Sequence, residues 1–260
     1  MGWGVIAVSV VVVTPDGLLE LFDATTAAVA GALRGVTDRR GKGERAGQYA
    51  LDLATDAAAV EVLTSAGVGV LSEESGVHHP ERSVTVVIDP VDGSSNCSRG
   101  IPWYACSLAA VDRDGVLAST VTNLASGTTY RAVRGGGSTR DGAPLAVSGC
   151  SALGDAMVAL NGWSPLHLGW RQYRSLGATA LDICLVAEGA LDGYLDCADQ
   201  NAPWDYLGAM LVLAEAGGVL LDARGQELVV LDHAARRAPV AAATAALADE
   251  LAGAHRAVLS

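Results

Sequence analysis

The sequence predicts a layered fold of mixed class, α/β or α+β, and three observations carry that expectation. Helices come first: Gly17 to Leu33 is Ala- and Leu-rich with apolar residues near the helical period, and a second helix follows at Ala57 to Leu63. The middle of the chain is a run of short β-branched segments separated by Asp- and Gly-containing turns. The last third alternates helical and strand patterns. Hydrophobic residues make up 50% of 260, enough for a substantial core. No linker-like stretch interrupts the chain, so two lobes packed on one another fit better than two independent domains.

In chain order, Gly17 to Leu33 reads as a helix whose Leu18, Phe22, Val29 and Leu33 share a face, with Thr25-Thr26 filling the turn between. Thr37 to Gln48 carries Arg39, Arg40, Lys42, Arg45 and several glycines and reads as a polar loop, either solvated or reaching an anion. Thr55 reads as the N-cap of a helix through Ala57 to Leu63, with Asp56 in its first turn. Gly67 to Leu71 is a short strand running into Ser72-Glu73-Glu74-Ser75-Gly76, and Val77 to Arg82 is a loop. Val84 to Ile88 is a buried strand, and Pro90 predicts that the chain leaves the sheet at Asp89. Ala105–Val111, Val116–Val121 and Thr128–Val133 form an antiparallel meander, followed by a hairpin turn at Arg140–Pro144. Met157–Leu160 is a strand and Ser175–Glu188 a helix with Ala180, Ile183, Cys184 and Ala187 on one apolar face. Leu191–Leu195 is a strand ending at Asp196. Trp204-Asp205 opens an apolar helix that Gly217-Gly218 stops. Val219–Leu221 is a strand, and a last helix covers Ala243–Leu251.

Composition excludes several function classes. A formal charge of −12 argues against binding of nucleic acid polymers or anionic membrane. The apolar run Val5 to Val13 is too short to span a bilayer and lacks the basic flank and cleavage site of a signal peptide. Five cysteines without CxxC spacing fit reduced thiols in a cytoplasmic protein and disfavour a zinc site.

The chemistry concentrates in Asp89-Pro90-Val91-Asp92-Gly93-Ser94-Ser95-Asn96. Two carboxylates at a strand end precede a turn or helix start, where free backbone N–H groups bind anions. Read alone, the stretch fits an ordinary acidic turn as well as it fits a cation and phosphate site. Glu73, Asp89, Asp92 and Asp205, with Asp56 behind them, all lie at probable element ends. Clustered carboxylates repel unless a cation is present, and oxygen ligands suit magnesium. Spacing by itself does not bring Asp205 to Asp89.

Three separated motifs resemble those of the inositol monophosphatase family of magnesium-dependent, lithium-sensitive phosphatases. Asp89 to Asn96 is similar to its DP(I/V)DG(T/S)(T/S)N motif. Ser72-Glu73-Glu74-Ser75 is similar to its GEES segment, with Ser for Gly. Trp204-Asp205 followed by Ala and Gly-Gly is similar to its second signature. The resemblance runs from about Leu19 to Val240 and implies a layered αβαβα sandwich, as in inositol monophosphatase and fructose-1,6-bisphosphatase. One phosphatase unit would comprise an N-terminal lobe of about 1–150 and a C-terminal lobe of about 151–260.

It also implies roles. Glu73, Asp89, the Val91 carbonyl, Asp92 and Asp205 would hold two or three Mg2+ ions, with Mn2+ as a substitute and Li+ as an inhibitor. Asp56 and Ser94, with Glu73, would activate the attacking water. Asp92, the amides of Gly93 and Ser94, then Gly177, Ala178, Thr179, Asp196 and Asp205 would contact the substrate. A homodimer is expected on the same ground. Arg45 or Lys42 would replace a family lysine, and Asp196 stands where the inositol enzymes have Glu. The expected activity is hydrolysis of a small polyol, sugar, cyclitol or nucleotide phosphate by direct attack of water on phosphorus, with Cys97 a packing residue. The alternatives are histidinol-phosphate, fructose-1,6-bisphosphate or 3′-phosphoadenosine 5′-phosphate as substrate, or a silent metal- and phosphate-binding regulator of the same fold.

Overall fold

A computed structural model describes residues 14–45 and 47–258, with no side-chain detail for the last two of these. The Val5–Val13 run lies outside the described residues. The described residues build two sheets and six α-helices in five layers. Helices α1 (Pro15–Gly35) and α2 (Ala50–Ser65) cover the outer face of an eight-stranded sheet. Its strands are β1 (Gly69–Ser72), β2 (Gly76–His78), β3 (Thr85–Asp92), β4 (Ala105–Asp112), β5 (Gly115–Asn123), β6 (Thr129–Val133), β7 (Gly137–Arg140) and β8 (Ala143–Pro144), in the order β2-β1-β3-β4-β5-β6-β7-β8. A six-residue helix, α3 (Ser94–Arg99), follows β3.

The second sheet holds β9 (Met157–Asn161), β10 (Gln172–Arg174), β11 (Gly193–Asp196), β12 (Val219–Asp222) and β13 (Pro239–Ala242), ordered β10-β9-β11-β13-β12. Between the sheets lie α4 (Thr179–Ala187) and α5 (Pro203–Glu215), and α6 (Ala245–Val258) closes the far face. The layering is the expected αβαβα sandwich.

Local chemistry explains these elements. In α1, Thr14 caps the helix by accepting the Gly17 N–H (3.2 Å), and Pro15 takes the first position, where no N–H is needed. Its buried stripe is Leu18, Phe22, Thr25, Val29 and Leu33, and the Thr25 hydroxyl satisfies itself by donating to the Leu21 carbonyl at 2.8 Å. The central helices α4 and α5 are buried nearly all round, as a middle layer requires. Gly208 lets α5 lie directly on β4 and β5, since a Cβ there would stand 2.6 Å from Ser107 Oγ and 3.2 Å from Val121.

Several sequence expectations are corrected. Thr55 is not an N-cap: α2 starts five residues earlier, and Thr55 is a buried mid-helix residue whose hydroxyl bonds back to the Leu51 carbonyl at 2.9 Å. Pro90 does not end β3. The strand continues to Asp92 because a register shift between Asp89 and Asp92 makes a bulge, one of the few places in a sheet that tolerates proline. Helix α4 begins at Thr179 rather than Ser175. Strand β2 replaces part of the Val77–Arg82 loop. The hairpin turn expected at Arg140–Pro144 narrows to Asp141-Gly142, because Arg140 ends β7 and Ala143–Pro144 form β8. The sequence predicts neither β10 nor β13; β13 lies between β11 and β12 and completes the second sheet.

Candidate active site

Three helix N-termini and one strand end meet at the acidic residues. Asp89 and Asp92 come from the bulged end of β3, and Asp205 comes from the first turn of α5. One carboxylate oxygen of each lies within 4.8 Å of the others. Asp92 accepts the amides of Thr179 (3.2 Å) and Ala180 (2.7 Å), so it caps α4 from across the molecule. Asp205 accepts the Ala202 amide at 2.6 Å and thereby caps its own helix. Asp52 does the same for α2 by accepting the Tyr49 amide at 2.8 Å. Each carboxylate sits where backbone N–H groups and the helix dipole favour negative charge.

That support does not cancel the cost of burial. Burial pushes the Asp92 and Asp205 carboxyls up to about 8, helped by neighbouring carboxylates and opposed by the capping amides. Glu73, beside Asp89, is likewise raised to about 8 by burial and by Asp205 and Glu74. Asp89 is raised well above the carboxylate range by burial, then by Glu73, Asp92 and Asp205. A group of acids in mutual repulsion, with only oxygen donors, fits a hard divalent cation.

A cavity of about 320 Å3 opens beside the cluster, lined by Arg45, Gly47, Gln48, Asp52, Glu73, Glu74, Ser94, Trp204, His233 and Arg236. Ser94 is the first residue of α3, and Gly93 precedes it in left-handed conformation (φ 84°). Gly93 packs tightly: a Cβ there would lie 3.0 Å from the carbonyls of Gly177 and Trp103 and 3.1 Å from Ala178. Asn96 ties the same parts together, donating from Nδ2 to the carbonyls of Trp103 and Leu176, both at 2.8 Å. Gly177, Ala178 and Thr179 therefore stand against the acidic motif, 80 residues away in sequence. The Val91 amide donates to Asp89 (2.9 Å), which holds the bulge in shape.

Three predicted site residues are used differently. Asp56 does not line the cavity; it is buried and accepts a hydrogen bond from Ser72 Oγ. Asp52, one turn earlier, lines the cavity instead, and burial raises its carboxyl to about 7. Asp196 is fully buried, accepting Asn161 Nδ2 and the Ala198 amide (3.0 Å each) and the Gln200 amide (3.3 Å), so it organises the loop after β11. The Thr179 hydroxyl is also internal: Thr179 donates to Asn201, Asn201 to Tyr194, and Tyr194 back to Thr179, at 3.0–3.2 Å. Of the two basic candidates, Arg45 reaches the site and pairs with Glu74.

Sequence reasoning missed Asp52, His233 and Arg236. Asp52 carries only a weak signal, the acid of a capping box whose first residue, Tyr49, is not a usual N-cap. His233 and Arg236 carry none, because the segment after β12 has neither helical nor strand period. His233 Nε2 donates to the Glu73 carbonyl (3.0 Å) and its ring packs on Trp204 (centroids 4.8 Å apart), docking that segment on the site.

Residues 20–259 match the inositol monophosphatase family. The chain belongs to the inositol monophosphatase family. Among its relatives is a fructose-1,6-bisphosphatase/inositol-1-monophosphatase of Methanothermobacter thermautotrophicus, 32% identical over 225 residues, 77% of this chain and 80% of that protein. An inositol-1-monophosphatase of Mycobacterium bovis is 34% identical over 211 residues, 70% of this chain and 68% of the relative. The fold matches an extragenic suppressor from Pyrococcus furiosus with a TM-score of 0.80 at 24% identity, covering 91% of this chain and 99% of the other. No helix among the described residues is long and apolar enough to cross a membrane.

Proposed function

We propose that this member of the inositol monophosphatase family is a Mg2+-dependent phosphomonoesterase acting on a small phosphorylated polyol, sugar, cyclitol or nucleotide. The observation that carries the reading is the convergence of Asp89, Asp92 and Asp205 within 4.8 Å beside a cavity containing Ser94 and Asp52. Asp89, Asp92, Asp205, Glu73 and the Val91 carbonyl would hold the metal. When bound, a hard dication there supplies positive charge to meet the charge developing on the phosphoryl oxygens.

The chain's own groups do the rest. The amides of Gly93 and Ser94, at the start of α3, receive phosphate oxygens. Asp52, with a carboxyl near 7, is matched to take a proton from the attacking water at neutral pH. Asp52 takes this role from Asp56, whose carboxylate faces Ser72. Gly177 and Ala178 form the wall next to the phosphate turn. Thr179 and Asp196 shape that wall from behind.

Phosphate release from inositol 1-phosphate, fructose 1,6-bisphosphate, histidinol phosphate and 3′-phosphoadenosine 5′-phosphate, with and without Mg2+, tests the reading. Mg2+-dependent release from at least one is expected. Release from none, by protein that binds Mg2+, would instead establish a silent binding protein.

A further inference from the structure

Arg236 is a cation of the cavity wall whose charge reaches the Asp205 carboxylate without pairing with it. Arg45, the other arginine in the wall, is paired with Glu74. Among the described residues Arg236 forms no ion pair. Its Nη1 donates to two backbone carbonyls, of His233 (3.0 Å) and Ala235 (2.8 Å). Its guanidinium carbon lies 5.5 Å from the Trp204 ring centroid, a stacking contact that fixes the plane of the group. The Nε and Nη2 donors, the edge that grips phosphate or carboxylate in a two-pronged contact, have no partner among the described residues. The segment carrying it is anchored to the site by the His233 bond to Glu73, so the guanidinium is placed before any ligand arrives.

The surrounding charge argues for an anion that is not the transferred phosphate. The transferred phosphate would be received by the α3 amides and by the metal that Asp89, Asp92 and Asp205 would hold. The cavity, at about 320 Å3, has room for more than that one group. Its wall is otherwise acidic, with Asp52, Glu73 and Glu74, and would repel a second anionic substituent unless a cation met it. Arginine, planar and always charged, is suited to that task.

We infer that Arg236 is a specificity-determining residue that binds a second anionic group on the substrate, so that the preferred substrates carry two phosphates, or a phosphate and a carboxylate, rather than one phosphate on a neutral ring. The inference rests on the phosphatase reading for its substrate but makes its own claim about binding. The test compares wild-type protein with Arg236→Gln and Arg236→Lys, using inositol 1-phosphate and fructose 1,6-bisphosphate as probes. Calorimetric titration with Ca2+ in place of Mg2+ reads binding separately from turnover. Wild-type protein is expected to bind the bisphosphate roughly tenfold or more tightly than the monophosphate, and Arg236→Gln to erase most of that gap, with Arg236→Lys intermediate. With Mg2+, the rise in KM for the bisphosphate in Arg236→Gln should exceed the rise for the monophosphate by a similar factor, kcat changing less. Equal affinity of wild-type protein for the two probes, or equal losses on both in Arg236→Gln, overturns the inference. Absence of turnover with the binding gap intact overturns the phosphatase reading and leaves Arg236 as the second-anion receptor.

Discussion

Asp52 and Asp56 stand one turn apart on α2 and meet different surroundings. Asp52 is held at the cavity by the Tyr49 amide, with its carboxyl raised to about 7. Asp56 faces Ser72 in the interior. Asp52→Asn should therefore lower kcat about a hundredfold or more, the usual scale for losing a general base, while Asp56→Asn lowers it by less than about tenfold. Steady-state phosphate release checks this, and the reverse ranking would return the role to Asp56. In wild-type protein, kcat should fall as pH drops below about 7, because protonated Asp52 cannot accept the proton. At this scale the sequence was most informative where residues cluster locally. Asp89, Asp92 and Ser94 are legible from one motif. Asp52 was hidden because a Thr-Asp pair downstream offers a better-looking N-cap than Tyr49 does, and no local rule detects that Thr55 is buried in mid-helix. Asp196 shows the limit of assigning a role from a strand end: being fully buried, it spends its oxygens on three N–H groups.

Elements place the site by where they begin. Helices α2, α4 and α5 each start at an aspartate that takes one or more of their free amides, and two of these aspartates, Asp92 and Asp205, belong to the acidic cluster. The turn before α3 locks β3 to the start of α4. Gly93→Ala tests that lock, because the residue sits at φ 84° and its Cβ would meet the Gly177 and Trp103 carbonyls at 3.0 Å. Left-handed strain and the forced shift should cost about 1–3 kcal/mol, read as a lower Tm, together with a large loss of kcat. Unchanged Tm and activity would show that the close packing of this turn is dispensable. Most elements were legible as periods of two or about 3.6, including the β4–β6 meander and α5. Among the missed strands, β10 and β13 are three and four residues long and owe their state to neighbours: β10 is an exposed edge, and Pro239–Ala242 is mostly Ala and Pro, strand only because β11 and β12 flank it.

On the scale of the whole molecule, the acidic cluster joins a strand of one sheet to a helix between the sheets, Asp89 and Asp92 meeting Asp205 more than a hundred residues later. Nothing in the spacing states that meeting; only the layering, with α5 lying on β3 to β5, produces it. The architecture stores repulsion there. Glu73, Asp92 and Asp205 have folded-state values near 8 and Asp89 is likewise raised, against about 4 when unfolded. The folded protein thus binds these protons more tightly than the unfolded chain. Their contribution favours folding most below about pH 4 and is lost as pH rises through about 8. A cation that binds only the folded site reverses the loss, adding about 2.7 kcal/mol at a hundredfold excess over its Kd. The most direct test of a cation site assembled across the fold is the unfolding free energy of metal-free protein at pH 5 and pH 8, with and without Mg2+, for wild type and Asp205→Asn. The structure predicts that metal-free wild type is less stable at pH 8, that Mg2+ restores it there and does much less at pH 5, and that Asp205→Asn narrows both effects. Stability that does not fall between pH 5 and 8, or that Mg2+ leaves unchanged at pH 8, would contradict the site.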